Sequence, residues 1–224
     1  MLVSGIPILI ADPAGGNDGA CLLLCHLNGV NAGTTFTDYS IAGQTLTATN
    51  ATTSTTRSKF FDSSGSFNGS SARVETSSTN WSALLPGDYT LEAWIFLTTA
   101  SVTNPIISTC TNAVNSLNFQ VTTSNKLQLS GNAGSIASSG SISASTWTHV
   151  AAVNSGGTFS LYINGVNDGS GSGITQNANG SALAIGCNGT DTPVQFFHGN
   201  IQEVRVSKIA RWTANFTPPS APYS

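Results

Sequence analysis

The chain has 224 residues, of which only 8% are charged, with a formal net charge of −3 and a pI near 5.4. Ordinary soluble domains carry roughly 25% charged residues, and non-specific nucleic-acid binding needs a basic stripe, so that role is excluded. No run approaches the roughly 18 apolar residues of a membrane-spanning helix, so membrane insertion is not expected. With 31 Ser, 28 Thr, 20 Asn and 23 Gly, the surface is built from hydroxyls and amides, which suits an extracellular or particle-surface protein. The length fits one large all-β domain or two small ones.

The first 20 residues stand apart. "LVSGIPILIADPAGG" is apolar, holds two prolines and ends in Gly-Gly. A free tail would expose Ile6, Ile8, Leu9 and Ile10, at a cost in solubility. Residues 1–20 are therefore expected to form an arm that docks on a partner or a neighbouring subunit, with an edge strand on the chain's own domain as the alternative. The segment has no basic n-region, Pro7 breaks its apolar run and Asp12 and Pro13 follow, so it does not read as a secretory signal.

From residue 21 onward strand patterns dominate, and no window shows helical periodicity. In chain order they are 21–27, 44–49, 72–76, 89–98, 105–109, 117–122, 126–130, 147–153, 158–164, 182–186 and 200–206. Cys21 and Cys25 share the first strand, too far apart for a disulfide with each other. A bridge between Cys110 and Cys187 stays open. Asp38, in "TTFTDYS", is the best candidate for a calcium ligand, because calcium takes loop carboxylates and carbonyls. The alternative is an Asx-turn. Trp81, in the loop before the 89–98 strand, is a candidate for an aromatic ligand contact, with a place in the core as the alternative.

"YTLEAWIFLT" is apolar on both faces, as expected of a central strand covered on both sides. "NSGG" and "YINGV" provide hairpin turns, the second through an Asn-Gly pair. "DGSGSG" (168–173) reads as a long surface loop. Asn188 and Asp191, in the 186–195 loop, are further candidates for ligand hydrogen bonds. Glu92 and Arg205 both sit in strongly apolar strands, where a lone charge is expensive. They are expected to face each other as a structural ion pair across neighbouring strands.

Enzyme readings lack their residues. A glycosidase needs two carboxylates at a set separation, yet the chain has three glutamates, and "EAWIFL" lacks the further acids of E-x-D-x-x-E. "GSGSG" matches G-x-S-x-G without the strand-to-helix elbow that the motif requires. His26, His149 and His198 are dispersed along strand patterns, as expected of structural histidines. Six N-x-S/T sequons are no more than the Ser/Thr content yields by chance.

Several segments occur together in order: "CLLLCHLNG", "TTFTDYSIAGQTLTAT", "DYTLEAWIFLT", "STWTHVAAVNSGGTFSLYINGV", "ALAIGCNG" and "FHGNIQEVRVSKIARWTANFTPP". Over residues 21–220 the chain resembles the laminin G-like branch of the concanavalin A-like lectin/glucanase superfamily. The resemblance implies an all-β fold, a concanavalin A-like jelly-roll β-sandwich of about a dozen antiparallel strands, spanning 21–224 with a short C-terminal tail. The close resembles a version widespread in bacteriophage head and tail surface proteins. Family members mostly bind glycans or proteins, some with calcium at a loop edge, and no catalytic residues are implied. Where the family often has an Asp-Glu pair before Val-Arg, this chain has Gln202-Glu203.

"NIQEVRV" is then the closing strand, pairing near "CLLLCHL". Lys208 to Trp212 forms a turn that laps the sandwich edge. Arg211 and Trp212 are expected to cap the core with a cation–π contact, and Pro218 and Pro219 to end the strand. Together these readings predict a non-enzymatic protein on a bacteriophage virion surface, in head decoration or a tail fibre. It would contact other virion proteins and host surface glycans, with a homo-oligomer, a trimer by preference, built by the arm. The alternative is a secreted or cell-surface carbohydrate-binding lectin domain.

Overall fold

The computed structural model describes residues 17–77, 81, 87–109, 117–176, 182–189 and 193–224. Ile6, Ile8, Leu9, Ile10, Cys110 and Asp191 therefore lie outside the described residues, and with them the arm, the Cys110–Cys187 pairing and one ligand candidate.

Strands dominate the described residues. The first half of the chain supplies β1 (Cys21–Cys25), β2 (Leu46–Thr49), β3 (Thr52–Ser54), β4 (Ser64–Asn68), β5 (Arg73–Thr76), β6 (Tyr89–Leu97) and β7 (Asn104–Ser108). The second half supplies β8 (Asn118–Val121), β9 (Leu127–Ser130), β10 (Ser135–Ala137), β11 (Trp147–Ser155), β12 (Thr158–Ile163) and β13 (Val166–Gly171), followed by β14 (Ala184–Ile185), β15 (Cys187–Asn188), β16 (Gln195–Phe196) and β17 (His198–Ser207). One sheet runs β13-β12-β11-β6-β17-β4-β3, and a second runs β10-β9-β8-β7-β14-β5-β2. All pairings between named strands are antiparallel, so the fold is the jelly-roll sandwich that the resemblance implied.

The closing strand does join the first. The front half of β17 pairs with β4 (Ile201↔Gly65) and its back half with β1 (Arg205↔Leu24), while its other edge pairs with β6. A bulge falls between Gln202 and Arg205, and Glu203 there takes φ +57°. A non-glycine residue at positive φ is uncommon, and such bulges re-aim side chains.

Period-2 alternation divides the large sheet into two faces. Leu91, Ala93, Ile95, Val150, Ala152, Leu161, Ile201, Val204 and Val206 point inward and meet Val74, Ile107, Phe119 and Leu129 from the second sheet in one buried cluster. Burial of this kind is worth about 25 cal/mol per Å² of apolar surface. Glu92, Trp94, His149, Gln202 and Arg205 alternate onto the outer face. Two segments cover that face: the tail after β17, and the β3–β4 loop of residues 55–63. This is why "YTLEAWIFLT" is apolar on both sides.

Two sequence expectations are corrected here. Residues 166–171 are a strand: Ser160 pairs with Ser170 and Phe159 with Gly171. The Gly-Ser composition serves close packing, since a Cβ on Gly169 would lie 2.7 Å from the Ala137 carbonyl oxygen and one on Gly171 2.6 Å from Ile136 Cγ2. The Arg211–Trp212 cation–π contact is also replaced. Trp212 stacks on Phe216 at 3.8 Å, and Arg211 turns instead to Asp18, at 2.9–3.0 Å, and Ser207. Among the described residues, no helix is long and apolar enough to cross a membrane.

Candidate functional site

The outer face holds a sealed polar cluster. Register places Glu92 of β6 opposite Arg205 of β17. Arg205 Nε and Nη2 contact Glu92 Oε1 at 2.8 and 2.6 Å. Glu92 Oε2 accepts the Tyr223 hydroxyl at 3.0 Å and the Trp212 indole N–H at 3.2 Å, with His149 Nε2 at 3.3 Å. Burial pushes the Glu92 carboxyl up, but Arg205 and His149 outweigh it and hold it down at about 2. Burial likewise drives the Tyr223 phenol well above its ordinary range, with the Glu92 charge adding to it.

The bulge aims Glu203 away from this pair. Its Oε1 lies 2.7 Å from His26 Nδ1, and its Oε2 accepts the Tyr223 backbone N–H at 2.8 Å. Tyr223 thus bridges both buried glutamates, and its ring lies over the Arg205 guanidinium at 4.0 Å. Neither glutamate is exposed to solvent at all. A carboxylate that no saccharide can reach serves structure, whatever its separation from the other.

An open site lies at one end of the sandwich, where β6 runs into β7 and β16 into β17. A cleft of about 390 Å³ is lined by Thr99, Thr103, Thr123, Gln195, Phe196 and His198, together with Gly69, Ser101, Val102 and Val194. That volume falls within the ordinary range of small-ligand pockets, about 300–1,000 Å³. Asn104 organises its wall. Fully buried at the start of β7, Asn104 donates to the carbonyls of Thr99 (3.2 Å) and Val102 (3.1 Å) and accepts the His198 N–H (2.8 Å). Asn125 Oδ1 accepts the N–H of Ser101, which sits at φ +60°. His198 Nδ1 meets Thr99 Oγ1 at 2.8 Å. Its ring packs on Gly69, where an added Cβ would come within 2.8 Å. The cleft therefore offers hydroxyls, an amide and an imidazole around one half-buried aromatic ring, on a wall fixed by backbone hydrogen bonds.

The sequence candidates fall in several places. Trp81 is a correction: its ring is wholly buried and its indole N–H donates to Thr76 Oγ1 at 2.7 Å, so it anchors the core and presents nothing to a sugar. Asn188 is nearly buried behind the cleft and donates to Gln195 Oε1 at 3.1 Å, supporting a lining residue. Asp38 is the second correction. Its Oδ1 accepts the N–H groups of Leu24 and Ser40, and its Oδ2 the Ser40 hydroxyl and the Gln44 N–H, all at 2.7–2.9 Å. With its lone pairs turned to protein donors it closes an Asx-turn and has none directed at a calcium ion. Among the described residues, no cluster of three or more His, Cys, Asp or Glu could hold a metal. Sequence reasoning missed Thr99, Thr103, Thr123, Phe196 and His198 as a group. The only local signal is the Thr-rich link between β6 and β7.

The sequence model of the concanavalin A-like lectin/glucanases superfamily matches residues 67–214, and the chain belongs to this family. No curated protein matches it. Domain 4 of AbnA, an extracellular arabinanase from Geobacillus stearothermophilus solved in complex with arabinotriose, is similar at 15% identity and TM-score 0.61. The match covers 85% of this chain and 93% of that one. The binding domain of botulinum neurotoxin serotype C1 is similar at 13% identity and TM-score 0.61, covering 85% of this chain and 49% of that one. The chain thus spans about half the length of that domain. A carbohydrate-binding protein of Bacteroides ovatus, described as putative, gives 21% identity and TM-score 0.51 over 66% of this chain and 44% of that one.

Proposed function

We propose that this chain is a non-catalytic glycan-binding domain and that the end cleft is its binding site. The observation that carries the reading is the lining itself. Hydroxyl, amide and imidazole groups suit the hydroxyls of a sugar, and the Phe196 ring suits an apolar face of the pyranose. Support also comes from the similar structures, since the arabinanase domain was solved with arabinotriose and type C neurotoxin entry depends on two ganglioside molecules. The sealing of Glu92 and Glu203 supports a binding role without hydrolysis.

The test is a glycan array followed by calorimetry. A bound oligosaccharide should be recovered uncleaved, and each of His198→Ala and Phe196→Ala should weaken it about tenfold, the loss of one good hydrogen bond or ring contact. Unchanged affinity in both variants overturns the assignment of the cleft.

We further propose that the domain sits on the outside of a bacteriophage particle, in head decoration or a tail fibre, with residues 1–20 contacting virion partners or building a homotrimer. It is supported by the charge-poor hydroxyl surface and by the likeness of the closing segment to phage surface proteins. Antibodies against the chain should label intact particles, and light scattering should show an oligomer that becomes monomeric when residues 1–20 are removed. Labelling confined to a cell envelope favours the lectin alternative.

A further inference from the structure

The half of the outer face not covered by the tail carries a second feature. Gln202 Oε1 accepts the N–H groups of Lys59 (2.7 Å) and Phe60 (3.2 Å), its Nε2 donates to the Ser63 carbonyl (2.8 Å), and Ser64 Oγ donates to the Arg57 carbonyl (2.6 Å). The β3–β4 loop is thereby pinned to the sheet by its backbone, and its long side chains are left to project.

Two of them are cations, both exposed. Lys59 Nζ sits 4.1 Å from the centre of the Trp94 ring, and the Arg57 guanidinium 4.9 Å from that of Phe96. Phe96 in turn meets Trp147 edge-on at 5.8 Å, and both rings are half-buried. The arrangement orients the cations without neutralising them. Among the described residues, neither Arg57 nor Lys59 makes an ion pair, not even with Asp62 of the same loop. Two cations therefore stand over one aromatic shelf.

We propose that this shelf is a second saccharide site, specific for acidic sugars. The carboxylate or sulfate oxygens of the sugar would lie between Arg57 and Lys59, in charge-assisted hydrogen bonds, and the sugar ring against Phe96 and Trp147. Because ring contacts as well as charge hold the ligand, an acidic peptide of equal charge would be a poorer one. The inference goes beyond the cleft assignment and does not depend on it.

The test is calorimetry on the full chain with four probes of equal length: an oligogalacturonate, a sulfated galactan fragment, a neutral galactan fragment and an oligoglutamate. The expected result is that the uronate or the sulfated sugar binds at least about tenfold more tightly than the neutral sugar and the oligoglutamate. Which of the two binds identifies the anion. Binding should fall sharply at about 0.5 M salt, where the screening length is a few ångströms. It should drop about tenfold or more in Arg57→Gln/Lys59→Gln, at unchanged melting temperature. It should persist in His198→Ala/Phe196→Ala, so that failure of the cleft and failure of the shelf are told apart. Equal binding of the oligoglutamate or the neutral sugar overturns the proposal. So does indifference to the loop substitutions, or binding of none of the four probes.

Discussion

The outer face of the large sheet has two halves that handle charge in opposite ways. In the half under the C-terminal tail, Glu92, Arg205, His149 and Tyr223 are fully or almost fully buried and contact one another at 2.6–3.3 Å. In the half under the β3–β4 loop, Arg57 and Lys59 stand in solvent over aromatic rings, without an acid partner among the described residues. The first arrangement fixes the tail to the sheet, because Tyr223 reaches both Glu92 and Glu203 from the far end of the chain. The second leaves donors pre-oriented and unneutralised, which costs little in water and matters only when an acceptor arrives. Charge spent on the fold is sealed, and charge available for recognition is held at the rim.

The sharpest way to break the comparison is to remove one partner from the sealed half. Arg205→Met leaves the Glu92 carboxylate buried without its cation and should destabilise the protein by about 3–5 kcal/mol in chemical denaturation. Replacing both partners, as Glu92→Leu/Arg205→Met, should recover much of that loss, since a buried pair often adds little over apolar residues of similar volume.

Acid provides the second test. The Glu92 carboxyl is held at about 2, against an ordinary value of 4.5 in the unfolded chain. A depressed folded-state value means that its stabilising contribution is complete above about pH 5 and is lost as pH falls from there toward 2. The shift corresponds to about 3 kcal/mol. Denaturation midpoints should therefore fall steeply over that window, and Glu92→Gln should flatten the dependence.

A smaller effect is expected from Tyr223→Phe, which keeps the ring over Arg205 and deletes the hydroxyl shared by Glu92 and His149. Loss of one hydrogen bond to a buried charge should cost about 1–3 kcal/mol. Limited proteolysis should detect earlier release of the tail than of the core strands.

The two halves were not equally legible. Eleven strand patterns could be read from short apolar and β-branched runs between turn signals, and each corresponds to a strand of the fold, because those signals are written locally. The strands that escaped are short or glycine-rich: β3, β4 and β10 carry few large apolar residues, β15 and β16 have two residues each, and β13 is made possible by glycines that permit close approach to β10. Glu92 and Arg205 could be singled out because each is a charge inside an apolar strand. The rest of their cluster could not, since Tyr223 and Trp212 arrive from a tail without periodicity and Glu203 is re-aimed by a bulge. Trp81 shows the converse. A lone Trp in a loop reads the same whether it faces a sugar or the core, and only tertiary packing decides. The end cleft joins Gly69, Thr99 and Thr123 from three separate connections and His198 from the start of β17, and no spacing along the chain encodes that meeting.

The smallest stability effect belongs to the open half, and its smallness is the point. Arg57→Gln/Lys59→Gln removes two exposed cations whose ring contacts are worth about 0.5–1 kcal/mol each at most, and surface changes of this kind usually alter stability by no more than about 0.5 kcal/mol. The loop itself should stay in place, because Gln202 and Ser64 hold it by its backbone. Denaturation midpoints close to the parent's, combined with loss of acidic-sugar binding, would assign these cations to recognition. A fall of several kcal/mol would instead show that they hold the loop as Arg205 holds the tail, and the contrast between the two halves would be lost.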